Sequence, residues 1–356
     1  MTNEEAVRLI KENPANFIKL RDIEEYGFDI DPIIKADHTI LEHIDKSLLN
    51  DKSFMMEMVH INPFTLLFAS EWLKIDRELV TTAMKKDTFA FSMASDALLD
   101  NQSFILEYIK FASTFDFSWL LFISSRLKND RAFSLEIIKN DSNALEYLNE
   151  SIRDDEIVVL AAVSKHPSSL KYASSRLKNS RSFIFKVVNE NETHSPGPFR
   201  YASRDLRSDK EFVLECLRCT EDSYILNNIA DALKDDEDFI KQAIAISGYS
   251  LGFASKRLQR KKELIFEAIK QTRDLYVLDN DKELNDNKEI VIFALKNGTK
   301  LIHASERLKD DDDVARVALE YNGTNFVYVS SRLQADEGLK LLAQRNAKVY
   351  DLDDEY

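Results

Sequence analysis

ASEWLKID from Ala69, ASRDLRSD from Ala202 and HASERLKD from His303 are one pattern met in three places, A-S-x-x-L-K-x-D. The leucine of that pattern has counterparts along most of the chain: Leu48, Leu73, Leu98, Leu127, Ile152, Leu177, Leu206, Leu233, Leu258, Leu284, Leu308 and Leu333. These anchors lie 24 to 29 residues apart, most often 25. A period of this size is the signature of a stacked-repeat architecture.

The neighbouring positions align on the anchors. Seven residues before each stands an apolar residue, among them Leu41, Leu66, Phe91, Leu120 and Phe326. Four residues before stand Ile44, Ala69, Ala94, Ile123, Ala254, Ala304 and their equivalents, with Asn280 the one polar exception. Apolar residues at i, i+3 and i+7 make one stripe on a helix, so a first helix is expected to end at each anchor. Three residues after the anchor come Asp51, Asp76, Asn101, Asp130, Asp155, Ser180, Asp209, Asp236, Lys261, Asn287, Asp311 and Asp336. All but Lys261 can cap a second helix, each worth about 1 kcal/mol. That helix carries apolar pairs such as Leu79-Val80 and Phe239-Ile240, then a small residue such as Ala83 or Ala243. It is expected to end near Pro63, Pro167, Gly248, Gly298 or Gly323, with the glycines closing it in the left-handed conformation.

A unit of about 25 residues cannot bury two apolar stripes by itself; neighbours must stack. The expected fold is all-α, an elongated right-handed α-solenoid of about twelve helix-turn-helix repeats, with the array over 41–344. Residues 1–40 read as degenerate capping helices and 345–356 as an acidic tail. The inserts at Phe111 to Trp119 and Glu190 to Pro198 read as protruding loops or longer helices and as contact points.

Composition agrees. Hydrophobic residues make up 44% of the 356, charged residues 31%, and there are only 7 glycines and 6 prolines, too few for a turn-rich β protein. The net charge of -14 disfavours a general nucleic-acid binder. The first residues lack the apolar stretch of a signal peptide and no run is long enough to span a membrane, so a cytoplasmic location is expected, with non-classical secretion or virion incorporation left open.

The A-S-x-x-L-K-x-D motif resembles an uncharacterised repeat family of unknown function found in bacteria, protists and some large viruses, whose unit is two copies in roughly fifty residues. The resemblance covers Leu41 to Ala343; the copies at Leu48, Ile152, Leu233 and Leu284 lack the A-S pair. It implies a helical array without catalytic residues, and a host-directed effector or virion-associated role.

Catalytic and metal signals are weak. Cys216 and Cys219 form a single C-x-x-C, and Cys216 falls where other repeats carry alanine, so it reads as a core residue. The six histidines have no ligand spacing. The serines after the motif alanine (Ser70, Ser95, Ser174, Ser203, Ser255, Ser305) have no base at fixed spacing and are expected to bond back to the preceding turn or to allow close packing. The acids of Asp310 to Asp313 lack a calcium loop's glycine and read as a solvated helix start. No cofactor or metal is expected, and the chain reads as not an enzyme.

One constellation is basic. Lys74, Lys128, Arg153, Lys178, Arg207, Lys234 and Lys309 follow the anchor, and Arg126, Arg176, Arg257, Arg307 and Arg332 precede it. Stacking would align them as a stripe at the end of each first helix. Cations there offset the helix dipole, or they bind an acidic peptide, a phosphorylated ligand or a nucleic-acid backbone. The function expected is a non-catalytic scaffold for a protein partner, with nucleic acid or phosphorylated ligands as the alternative and a fold-assembled enzyme site the least favoured reading.

Overall fold

The computed structural model describes residues 45–111, 117–190, 197–220, 222–272 and 281–347, with Arg8 and Glu12. The expected capping region over 1–40, Asn280, most of both inserts and the tail beyond Ala347 lie outside the described residues. Among those described the chain is all-helical, without a strand. It forms two compact units, 1–174 and 175–356.

Each repeat contributes one long helix. In the first unit these are α1 (Lys52–Ile61), α2 (Arg77–Lys86), α3 (Gln102–Phe111), α4 (Arg131–Asn140) and α5 (Glu156–Lys165). In the second they are α6 (Arg181–Glu190), α7 (Lys210–Thr220), α8 (Glu237–Ile246), α9 (Lys262–Thr272), α10 (Lys288–Lys296), α11 (Asp312–Tyr321) and α12 (Glu337–Ala347). All eleven expected cap side chains accept from the first turn, for example Asp76 from the Leu79 amide (3.0 Å) and Asp209 from the Phe212 amide (3.0 Å).

The first helix of the repeat is not continuous, which corrects the sequence-based expectation. It opens as a 3-10 segment, such as Pro63–Phe68 or Gly323–Tyr328. The residue four before the anchor is then extended (Ala69 φ -60, ψ 150; Ala304 φ -71, ψ 155). A four-residue helix follows, as at Ser125–Lys128, Glu306–Lys309 and Ser331–Gln334. The cause lies in the motif serine. Its side chain caps the short helix (Ser124 to Leu127, Ser305 to Leu308), which requires extended backbone at the cap. Its own amide turns away to the preceding repeat.

A second cap sits eleven residues before the anchor. Asn62, Asp87, Asp141, Asp222 and Asn322 each accept from the amide two residues on, starting the 3-10 segment. Of the three glycines expected to be left-handed, Gly248 and Gly323 are not; among the described glycines Gly298 alone has positive φ (91°). Gly248 and Gly323 are needed for space: a Cβ would lie 2.6 Å from the Ala268 carbonyl oxygen and 2.1 Å from that of Ala343. The small residue of the long helix and the glycine thus let the two elements of one repeat touch.

Within each unit the long helices form one row and the 3-10 segments another. α1 packs on α2, and α3 on α4 and α4 on α5; in the second unit each of α6 to α11 packs on the next. The 3-10 segments follow their sequence neighbours in the same way, from Pro63–Phe68 through Pro167–Tyr172 in the first unit. Buried side chains are the ones the pattern selects: Leu66, Ala69 and Leu73 in one repeat, Leu301, Ala304 and Leu308 in another. At about 25 cal/mol per Å² of apolar surface, this continuous core supplies the main stabilisation.

Candidate functional site

The geometry of the stacking step decides what the basic residues do. In ten of the steps among the described residues, all but that from Leu258 to Leu284, the main-chain amide three residues before an anchor donates to the carbonyl one residue after the preceding anchor. Ser70 donates to Leu49 (3.0 Å), Ser95 to Lys74 (3.1 Å), Ser124 to Leu99 (3.1 Å), Ser255 to Lys234 (2.7 Å) and Ser330 to Lys309 (3.0 Å). A short helix leaves its last carbonyls without partners; the next repeat satisfies one of them.

The side chains add a second rung. The motif serine hydroxyl donates to the residue two after the preceding anchor: Ser124 to Asp100, Ser174 to Asp154, Ser203 to Asn179, Ser255 to Asp235, Ser305 to Asp286 and Ser330 to Asp310. So Ser174, Ser203, Ser255 and Ser305 bond to the preceding repeat rather than to the preceding turn, while the hydroxyls of Ser70 and Ser95 are buried without a hydrogen-bond partner among the described residues. The residue just before the anchor reaches the same acid. Arg126 Nε lies 2.9 Å from Asp100, Arg307 Nε 2.9 Å from Asp286 and Arg332 Nε 2.9 Å from Asp310, while Nη2 of each donates to that residue's carbonyl. Arg257 does the same on Asp235. The serine hydroxyl first, and the guanidinium second, hold Asp100, Asp235, Asp286 and Asp310 below the usual carboxylate range.

Residues one after the anchor fold inward instead. Lys128 donates to the Leu121 carbonyl and Lys234 to that of Asn227 (3.0 Å). Burial pushes the Lys128 ammonium down. Lys74 and Lys309 pair with Glu71 (2.9 Å) and Glu306 (2.8 Å). Arg207 donates to the Ala202 and Asn228 carbonyls. Arg176 and Lys178 also make interactions within the chain, and the Arg153 Nε is buried without a hydrogen-bond partner among the described residues. The stripe read from sequence is therefore two columns: arginines on the carboxylates between repeats, more than half exposed on their outer side, and cations tucked against the 3-10 segments.

A further ladder was not evident in the sequence. The cation that opens several of the long helices pairs with the cap or first turn of the next: Lys52 with Asp76 (2.8 Å) and Glu78 (2.9 Å), Arg131 with Asp155 (2.9 Å), Arg181 with Asp209 (3.1 Å), Lys288 with Asp311 and Asp313 (both 2.8 Å). The one non-capping residue, Lys261, meets Glu237 at 2.6 Å. The signal was present as a cation at +4 and an acid at +3 or +5 from the anchor, legible once the copies are aligned.

Opposite in character is the row of 3-10 segments. In the first unit Phe64, Phe89 and Phe122 meet edge to face, with centroids 6.3 and 5.0 Å apart. Leu67 and Leu121, six before their anchors, are exposed beside them. In the second unit the equivalent positions show Tyr224 against Phe253 (5.6 Å), with Ile302 and Val327 exposed, Val327 by 68%. At the described ends of the inserts Phe117, Trp119 and Pro198 are buried; the middles, on which the expected protrusion rests, lie outside the described residues.

Cys216 is fully buried at the small-residue position, and burial pushes its thiol up to about 12; Cys219 is exposed and free. Among the described residues no group of three or more His, Cys, Asp or Glu is placed to hold a metal ion, and no helix is long and apolar enough to cross a membrane.

A family model described as a domain of unknown function, DUF4116, matches the chain five times, at residues 32–74, 104–153, 155–195, 236–281 and 287–334. The segments together take in more than half of the chain, and three of them each enclose two anchors. No curated protein and no solved structure matches the chain.

Proposed function

The chain belongs to the DUF4116 family of domains of unknown function, and we propose that it serves as a non-catalytic scaffold that binds a protein partner along the 3-10 row of its units. The observation that carries this reading is the division of labour between surfaces. The hydroxyls, carboxylates and guanidiniums that could attack, protonate or bind a phosphate are largely engaged with one another between repeats. The 3-10 row instead leaves Leu67 and Leu121 exposed around a chain of phenyl rings, and Ile302 and Val327 exposed in the second unit. Exposed aliphatic and aromatic side chains spaced by a rigid repeat suit protein recognition. The host-directed or virion-associated setting implied by the family resemblance belongs to the same proposal.

Binding of nucleic acid or phosphorylated ligands through the arginine column is the second reading. It rests on the outer faces of Arg126, Arg257, Arg307 and Arg332, which stay more than half exposed. Affinity capture with the intact chain separates the two. Leu67→Lys with Leu121→Lys should abolish retention of the partner while the helical circular dichroism is unchanged. Arg126→Gln with Arg307→Gln should leave it. The reverse outcome, with steep loss of binding on added salt, would replace the protein reading with the anionic one.

A further inference from the structure

The repeats are close to interchangeable. Most offer the same anchor, the same main-chain bond to the preceding repeat and similar apolar contacts, so a repeat that skipped its neighbour and docked on the next would keep much of all three. Something must set the order. The Leu258 repeat differs from the others in the second unit by carrying cations, Arg260 and Lys261, where its relatives carry acids or neutral residues. Both neighbours are reversed to match. Glu237 at the start of α8 meets Lys261 (2.6 Å), in the place where Lys210 meets Asp236 and Lys288 meets Asp311. Arg260 meets Glu283 (3.1 Å) and Asp281 (3.2 Å), in the place where Asp286 meets Arg307 and Asp310 meets Arg332.

We propose that the Leu258 repeat is keyed by reversed charge to the repeats before and after it, and that this key fixes the order in which the second unit stacks. Docking the Leu284 repeat directly on the Leu233 repeat would set Asp235 against Glu283 and Glu237 against Glu289. Docking the Leu258 repeat on the Leu206 repeat would set Lys210 against Lys261. Docking the Leu308 repeat on the Leu258 repeat would set Arg260 against Arg307. Each of these skips brings like charges together at one contact or more, although Lys210 would also face Glu263 in the second and Lys262 would face Asp311 in the third, while the native order brings opposite charges together at every one of these contacts.

The test is a double-mutant cycle on the full chain with Glu237→Lys, Lys261→Asp and the pair combined. Lys241 also reaches Glu237 (2.9 Å), so the cycle, and not either single variant, reads the contact. Each single change should lower the urea midpoint, although Lys261→Asp installs a better cap, and the combined variant should recover, with a coupling of about twofold or more in the unfolding equilibrium constant. The combined variant keeps a pair but has ordinary polarity, so Lys210 can now attract residue 261. On refolding from urea its yield of native protein should be roughly halved relative to the parent chain, with misordered or aggregated material making up the rest. Independent single-variant effects would remove the key. So would a combined variant that refolds with the parent's yield, because the reversed charge would then add a contact without choosing an order.

Discussion

The steps from Leu73 to Leu98 and from Leu308 to Leu333 are made of the same parts, yet they share only some of them. Both have the main-chain bond (Ser95 to Lys74, 3.1 Å; Ser330 to Lys309, 3.0 Å) and both bury their anchors. The later step adds the polar rung: Ser330 and Arg332 on Asp310, and Arg332 on Asp312. The earlier one has Ile75 where the acid would be and Ala97 where the arginine would be, and the Ser95 hydroxyl is buried without a hydrogen-bond partner among the described residues. The main-chain bond and the apolar contacts therefore define a step; the charged rung decorates it.

That ranking can be broken by substitution. The largest effect should come from the anchors: Leu98→Ala and Leu308→Ala should each cost about 2–5 kcal/mol in chemical denaturation, irrespective of the rung. A much smaller loss at Leu98 would mean that the step lacking the rung is also loosely packed. Next comes Gly323→Ala, whose Cβ would press on backbone at the Ala343 carbonyl and the Ala347 amide. It should cost about 1–3 kcal/mol, and a neutral result would show that the last repeat gives way easily.

The rung should matter less. Asp310→Ala is expected to lower the melting temperature by less than either anchor change, since both partners are at the surface. Ile75→Asp should raise stability by about 0.5 kcal/mol by giving Ser95 an acceptor; a loss there would show that the hydroxyl is satisfied in another way. The smallest effect is that of acid. Lys261 first, then Lys241, hold Glu237 at about 2, below the roughly 4.3 of an unfolded glutamate. A depressed carboxylate stabilises the fold above its unfolded value, and that contribution is lost as pH falls through the folded one. Stability should therefore decline between about pH 5 and pH 2, and Lys261→Gln should flatten the decline. A stability that rises on acidification would contradict the ladder.

Much of this was legible in the sequence. The period, the buried positions and all eleven caps follow from apolar spacing and cap chemistry alone. The break in the first helix was hidden because apolar residues at i, i+3 and i+7 satisfy a 3-10 segment followed by a short helix as well as they satisfy one continuous helix. Gly248 and Gly323 were misread because a glycine after a helix signals a left-handed turn just as readily as a close approach. Of the candidate site, the columns were visible but their partners were not. Arg126 finds Asp100, which lies in another repeat, and only the stacked geometry brings the two together.

The central claim is that repeats are fastened to their sequence neighbours through the main chain, with or without charges. Amide hydrogen exchange at Ser95 and Ser330 tests it directly. Both amides lie outside the helices. Both should exchange as slowly as amides inside α2 and α11, because each is bonded to the preceding repeat. Exchange at the rate of an open loop, at either residue, would contradict it.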